Sequence, residues 1–348
     1  MRWSIQLPGS HPVDKQLEVI ELADKLGFHA YYFNDEIYHY DIFNVMTQAA
    51  LRTKNIRLVA VTNVVVRDPV YLGQQLMSLD MLSNGRVEAL YSIGNVSMLK
   101  QFGVDLANLR TIGRLREAQQ VLRTFLDTSK VTFEGKFYNY SGITTSVRKV
   151  QESIPLQMGG IKGPKTFELA AEVSDGLLTG LLYSREALRY AAEHFAVGVA
   201  KGGRDRSTLS LGAGCIGTIA PDGNAARRVA RTIGAFYLPA LGDEAAVKHG
   251  IDPSRLAPIR EAFQRGDIKG AIEMTPNDIA EAQILPAGSP EEVIQQLRVI
   301  EEEGYDHICI DLIDPAAVKN MTGVDVGGVP DALQQVQLLH DKVMPAFN

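Results

Sequence analysis

The tract Asn34-Asp35-Glu36-Ile37-Tyr38-His39-Tyr40-Asp41 places three carboxylates, an imidazole and two phenols within eight residues. A carboxylate or imidazole so placed can pass a proton at neutral pH, which makes Asp35, Glu36 and His39 the expected catalytic groups, with Tyr38 as a helper. Asp41 stands where a side-chain oxygen caps the next helix. A second tract, Met158-Gly159-Gly160-Ile161-Lys162-Gly163-Pro164-Lys165, has the make-up of an anion site. Successive backbone N–H groups in a glycine-rich turn form a concave set of donors, and Pro164 suits the first turn of a helix whose dipole favours phosphate. Lys162 or Lys165 adds a point charge there. Gln6, Thr62, Asn63, Asn95 and Thr179 fall at other strand ends. Amides can hold a carbonyl but cannot shuttle a proton at neutral pH. No histidine pair and no activated nucleophile stands among these residues, which disfavours a Ser-His-Asp hydrolase.

Composition narrows the field further. Lys and Arg number 35 against 41 Asp and Glu, a formal net charge of −6, and no run of basic residues is long enough to form a stripe. A nucleic-acid partner is therefore not expected. The two cysteines, Cys215 and Cys309, can build neither a disulfide framework nor a zinc site alone and suit a reducing cytoplasm. They read as buried core thiols, and His29 and His307, at strand starts, read as structural. The segment after Met1-Arg2-Trp3-Ser4 lacks a signal-peptide apolar stretch, and no run of about 20 apolar residues offers a membrane span.

The elements that must position these residues alternate. Short apolar strands begin near Trp3, Phe28, Ile56, Arg86, Ile154, Gly176, Ser207 and His307, and amphipathic helices separate them. A hairpin-like stretch covers Val131–Tyr138. Eight strands joined by helices imply parallel pairing through right-handed crossovers and favour a closed (β/α)8 TIM barrel, class α/β, over an open sheet. The first strand is not followed by G-x-G-x-x-G, which weighs against a dinucleotide fold. In a barrel the chemistry collects where strands run into helices, which is where the residues above fall. The expected organisation is one barrel domain over residues 1–348, with an irregular insertion at about 239–286 after the seventh strand–helix unit. That insertion is expected to lid the barrel and to set the substrate.

Several ordered segments resemble the bacterial luciferase-like superfamily of flavin and deazaflavin (coenzyme F420) enzymes. They are Ala23-Asp-Lys-Leu-Gly-Phe28, Asn34-Asp35, Val61-Thr62-Asn63, Leu79-Asp-Met-Leu-Ser-Asn-Gly-Arg86, Met158–Pro164, Ala170–Gly176 and Gly288–Val293. The branch most similar contains F420-dependent methylenetetrahydromethanopterin reductase. The resemblance implies a luciferase-like barrel with insertions, a homodimer or higher oligomer, and F420 with its phosphate on Gly159–Lys165. It also implies a non-prolyl cis peptide near Asn63-Val64, behind the ring, and contact of Gln6, Thr62, Asn63, Val64, Asn95 and Thr179 with cofactor or substrate. The reductases carry acids at three strand ends; Gln6, Asp35 and Asn95 stand there in this chain, and Glu36 replaces a histidine common among relatives. The implied activity is an F420-dependent oxidoreductase that moves a hydride between the deazaflavin C5 and another small organic substrate. Two alternatives remain at this point: a monooxygenase using reduced FMN, and a non-catalytic flavin-binding protein.

Overall fold

The computed structural model describes residues 1–348 except 162, 181–183, 241, 249, 284–285 and 348. The chain opens with β1 (Arg2–Gln6), α1 (Val13–Lys25), β2 (Ala30–Asn34), α2 (Ile42–Arg52), β3 (Arg57–Asn63), α3 (Pro69–Ser83) and β4 (Val87–Ser92). Next come α4 (Val96–Gln101), α5 (Thr111–Thr128), a hairpin of β5 (Lys130–Glu134) and β6 (Asn139–Thr144), β7 (Leu156–Gly160), α6 (Pro164–Val173) and β8 (Gly176–Thr179). Then follow α7 (Arg185–Gly202), β9 (Ser210–Ile219), α8 (Gly223–Tyr237), α9 (Asp243–Lys248), α10 (Ala257–Gln264), α11 (Ile268–Met274) and α12 (Asn277–Gln283). The last elements are β10 (Ala287–Gly288), α13 (Pro290–Glu302), β11 (His307–Leu312), α14 (Pro315–Thr322) and α15 (Ala332–Leu338).

The main sheet runs β10-β9-β11-β1-β2-β3-β4-β7-β8, and β9 also pairs with β8. Eight parallel strands thus close into a TIM barrel flanked by helices, as the alternation of elements implies. Local chemistry sets the helix starts. Asp68 Oδ1 accepts from Val70 N at 2.8 Å with Pro69 in the first turn of α3, and Ser289 and Glu292 form a reciprocal capping box on α13. No helix among the described residues is long and apolar enough to cross a membrane. Among the same residues no cluster of His, Cys, Asp and Glu could hold a metal ion.

Contacts group the chain into two compact units. One comprises Pro12–Leu178 and Glu193–Leu211. Within it β2, β3, β4 and β7 pair in parallel, with Asn34 opposite Val61, Asn63 opposite Ser92 and Tyr91 opposite Met158. Those registers bring the four C-terminal strand ends and their loops to one edge. In the same unit Tyr31, Tyr32, Tyr91, Phe125 and Phe167 are fully buried. Burial of a large apolar side chain contributes about 1.5–3 kcal/mol, so these five rings are a substantial part of this unit's core.

The other unit comprises Met1–His11, Thr179–Ala192 and Gly212–Asn348. Here β1 pairs with β11, Gln6 opposite Asp311, and β11 pairs with β9. The segment 239–286, expected to be irregular, carries the four short helices α9–α12. Apolar residues of these helices (Ile259, Ala262, Ala271, Ile279) and of the link before α10 (Ile251, Leu256) share one buried cluster with Val229, Ala230 and Ile233 of α8. Each of these helices spans about two turns or less, too short for periodicity to announce it. Cys215 and Cys309 are buried free thiols, as expected, and His307 is buried with Nε2 2.8 Å from Ser4 Oγ. Burial pushes the Cys215 thiol up to about 12 and raises that of Cys309 well above its usual range.

Candidate active site

The C-terminal ends of β2, β3, β4 and β7 carry most of the polar residues picked out from the sequence. Asp35 follows β2 directly, and its N–H donates to Val61 O at 2.9 Å, which fixes the backbone beside β3. Its carboxylate is gripped from two sides. Arg67 donates from Nε to Oδ2 at 2.6 Å and from a terminal nitrogen to Oδ1 at 2.8 Å, while Thr62 Oγ1 donates to Oδ2 at 2.6 Å. A bidentate guanidinium pair is among the strongest charge-assisted contacts a carboxylate can make. Arg67 is held in turn by Gln75 Oε1 at 3.3 Å, by Asp41 at 3.6 Å and by the Phe43 ring, 5.1 Å from its centroid. Burial alone would lower the Arg67 pKa, but the bonds and charge of Asp35, joined by Asp41, outweigh it and the net shift is upward. Asp41 also caps α2, accepting from Asn44 N at 3.2 Å, as the sequence suggested.

Glu36 and His39 are more open. The His39 ring nitrogen Nε2 lies 3.5 Å from Glu36 Oε2, and Asn95 Nδ2 lies 3.5 Å from Glu36 Oε1, both at the loose end of hydrogen-bond range. The backbone assists, since His39 N donates to Glu36 O at 3.0 Å. Tyr38 is half exposed and donates to Gln101 Oε1 of α4 at 2.8 Å, away from the two acids. Asn95 also starts α4, its Oδ1 accepting from Met98 N at 3.4 Å.

The turn after β3 departs from expectation. Peptide bonds among the described residues are all trans, so Asn63-Val64 carries no cis bond. Asn63 makes the bend by a side-chain turn instead, its Oδ1 accepting from Val65 N at 3.2 Å and Val66 N at 3.0 Å. Val64 is buried, its N–H donates to Ser92 O at 3.2 Å and its carbonyl accepts from the Tyr138 hydroxyl. Gly94 has φ +94°, and a Cβ there would meet Asn63 Cβ at 2.8 Å, so only glycine fits against this turn.

Gly159 and Gly160 end β7, Ile161 is half exposed, and Gly163 precedes α6 with Pro164 in its first turn. Gly160 lies under the Phe167 ring, where a Cβ would come within 2.9 Å. Gly163 O accepts from Thr166 N at 2.9 Å and Phe167 N at 3.2 Å, so two donors of the helix start turn inward and Lys165 is left exposed at its edge. Lys162 lies outside the described residues.

Gln6 and Thr179 belong to the other unit. Gln6 Nε2 donates to Asp311 Oδ2 at 3.0 Å, and Thr179 Oγ1 donates to Gly212 O at 3.3 Å. The same unit holds a buried pair that the sequence did not announce, His11 and Asp314, in the loops after β1 and β11. His11 Nδ1 lies 3.0 Å from Pro8 O and Nε2 lies 3.0 Å from Asp314 Oδ1. Arg67 was likewise missed. Its only sequence signal is a charge in the loop that follows the third strand.

A model of the family described as luciferase-like monooxygenase matches residues 2–307. The 5,10-methylenetetrahydromethanopterin reductase of Archaeoglobus fulgidus is 24% identical over 331 residues, 94% of this chain and 93% of that protein. The solved coenzyme F420-dependent tetrahydromethanopterin reductase of Methanopyrus kandleri superposes with a TM-score of 0.89 at 23% identity, covering 100% of this chain and 99% of that one. The oxygenating constituent of the 3,6-diketocamphane monooxygenase of Pseudomonas putida, solved with FMN, superposes at 0.72 with 15% identity, covering 99% and 98%. A family match of that extent, on a barrel of this strand order, means that the chain belongs to the luciferase-like monooxygenase family of oxidoreductase enzymes.

Proposed function

We propose that this protein is an F420-dependent oxidoreductase that moves a hydride between the deazaflavin C5 and a small organic substrate. The observation that carries this reading is similarity to a methanopterin reductase along nearly the full length of both chains, together with an acidic pair, Asp35-Glu36, at the end of β2. The donor set fits a deazaflavin phosphate and ring carbonyl. Backbone N–H groups of Gly160, Ile161 and Gly163 and the Lys165 ammonium suit the phosphate. Asn63 commits its Oδ1 to the turn after β3, so Nδ2 is its group left to donate to a ring carbonyl, and Asn95 offers a second amide.

When bound, the deazaflavin supplies or accepts the hydride. The protein's own part is positioning and proton handling. Asp35, gripped by Arg67 and Thr62, serves to position its neighbours rather than to carry a proton. Glu36 is the acid with room to exchange a proton, and His39 relays it toward solvent. Gln6 and Asn95 stand where the reductases carry acids, which supports a substrate other than the methanopterin. Two reduced thiols fit a cytoplasmic setting.

Fluorescence titration of the purified protein with F420 and with FMN tests the reading, and tight F420 binding is expected. Tight FMN binding without F420 binding would give the monooxygenase alternative instead. Oxidation of reduced F420 against a panel of small carbonyl compounds should fall on the order of 10²-fold or more in Glu36→Gln with cofactor affinity kept. Binding without any turnover would leave a non-catalytic carrier.

A homo-oligomer belongs to the same proposal. Helices α2 and α3 lie side by side, and apart from Arg52 at the end of α2 their exposed residues, among them Asn44, Gln48, Leu51, Tyr71, Gln74 and Met81, carry no charge. Leu51 is 66% and Tyr71 70% exposed, an apolar pair that a second copy would cover. Light scattering after size exclusion should give at least a dimer, reduced to monomer by Leu51→Lys with Tyr71→Lys. A monomeric wild-type chain would contradict it.

A further inference from the structure

The β5–β6 hairpin stands outside the barrel strands, yet two of its tyrosines reach the loop that carries Arg67. Tyr138 directly precedes β6 and Tyr140 lies within it, two residues on. Their rings stack, 6.5 Å between centroids and 8° between planes. The Tyr138 hydroxyl donates to Val64 O, at the start of the β3–α3 loop. The Tyr140 hydroxyl donates to Asp68 Oδ2 at 2.9 Å, at its end, while the other oxygen of Asp68 caps α3. Arg67 lies between those two anchor points. The hairpin turn is itself pinned to α5. Glu117 accepts from Lys136 N at 2.9 Å, Phe137 N at 2.8 Å and Tyr138 N at 3.3 Å, and the Arg114 guanidinium lies 4.8 Å from the Phe137 ring centroid.

We propose that this hairpin is a positioning clamp for the active site: Tyr138 and Tyr140 fix both ends of the β3–α3 loop and thereby hold Arg67 against Asp35. The clamp rests on the reading that Asp35 belongs to the site. Its chemistry is one-way. Burial, partly countered by Arg114, pushes the Tyr138 phenol up to about 12, and burial together with Asp68 raises that of Tyr140. Both hydroxyls therefore stay protonated donors across the working pH range, facing a carbonyl and a carboxylate that can only accept. Loss of one hydroxyl leaves the loop tied at one end. Loss of both leaves the loop held by the Asn63 turn, the Asp68 cap on α3 and the side-chain contacts of Arg67 itself.

The test is hydrogen exchange at Arg67 Nε–H, followed by NMR in the cofactor-free protein. The expected result is exchange about tenfold or more faster in Tyr138→Phe/Tyr140→Phe than in wild type, because the Asp35 pair opens more often. Tyr305→Phe is the control, since that buried hydroxyl donates to Leu188 O at 2.9 Å far along the chain from the clamp. It should lower the thermal midpoint without changing exchange at Arg67. Unchanged exchange in the double variant, or equal acceleration in the control, overturns the clamp. The measurement needs no cofactor, so it separates the two readings. Accelerated exchange in a protein that binds neither F420 nor FMN supports the clamp and removes the functional proposal, whereas unchanged exchange with tight F420 binding removes the clamp alone.

Discussion

A carboxylate that accepts two guanidinium bonds and a hydroxyl bond has committed most of its lone pairs before any substrate arrives. That is the state of Asp35, and it sets apart two adjacent acids that look equivalent in the sequence. The cluster from Asp35 to His39 was legible because it is contiguous. The partner that tells Asp35 from Glu36 was not, because Arg67 reaches it only through the β2–β3 register and the turn at Asn63. His11 was illegible for the same reason, its carboxylate lying some 300 positions away at Asp314. Both ring nitrogens of His11 face acceptors, a carbonyl and a carboxylate, so both are best served carrying protons. Burial works against that charge, but Asp314 and the Pro8 carbonyl outweigh it and the His11 pKa is raised. Burial likewise opposes charge on Asp314, yet its bonds from His11 and from Ala317 N leave its pKa lowered. The histidine part of the stability is complete below about pH 6.5 and is lost as pH rises through the raised value. The aspartate part is complete above about pH 4 and is lost as pH falls through the lowered one. The thermal midpoint of wild type should therefore exceed that of His11→Gln most between about pH 4 and 6.5, narrowing on either side. A gap that widens at pH 9 would refute the pairing.

Strands and long helices were readable because short β-rich runs and 3.6-residue periodicity recur with clear stops, such as the left-handed Asn84 after α3. The six-residue α4 and eight-residue α14 were not, since about two turns or fewer do not display a period. The hairpin was visible, but its reach to the β3–α3 loop depends on tertiary contact. Turn geometry at the site is likewise tertiary. An Asn side chain closes the bend after β3, and Gly94 is shaped around it. Gly94→Ala should cost about 1–3 kcal/mol, because it adds both a strained φ and a clash with Asn63. Urea unfolding measures that loss, and a neutral substitution would mean the turn is looser than its contacts indicate.

At the scale of the molecule, a net charge of −6 and a sequence pI near 5.7 mean that an anionic cofactor gains nothing from the overall field. On the proposed reading, recognition would come from local donors, such as those at the helix start at Gly163, rather than from the count of lysines. Each compact unit also has its own apolar core, one under the strand ends of β2, β3, β4 and β7, the other around α8. The second unit carries both cysteines, on adjacent strands β9 and β11, with Cys215 Sγ 3.9 Å from Cys309 O. With burial pushing the Cys215 thiol up to about 12, it stays protonated at neutral pH, and burial also shields the sulfur. The folded enzyme is thus chemically silent toward alkylating reagents and peroxide at these positions. Covalent labelling can begin only when β9 and β11 part, so the two sulfurs form a built-in clock for how often the barrel breathes.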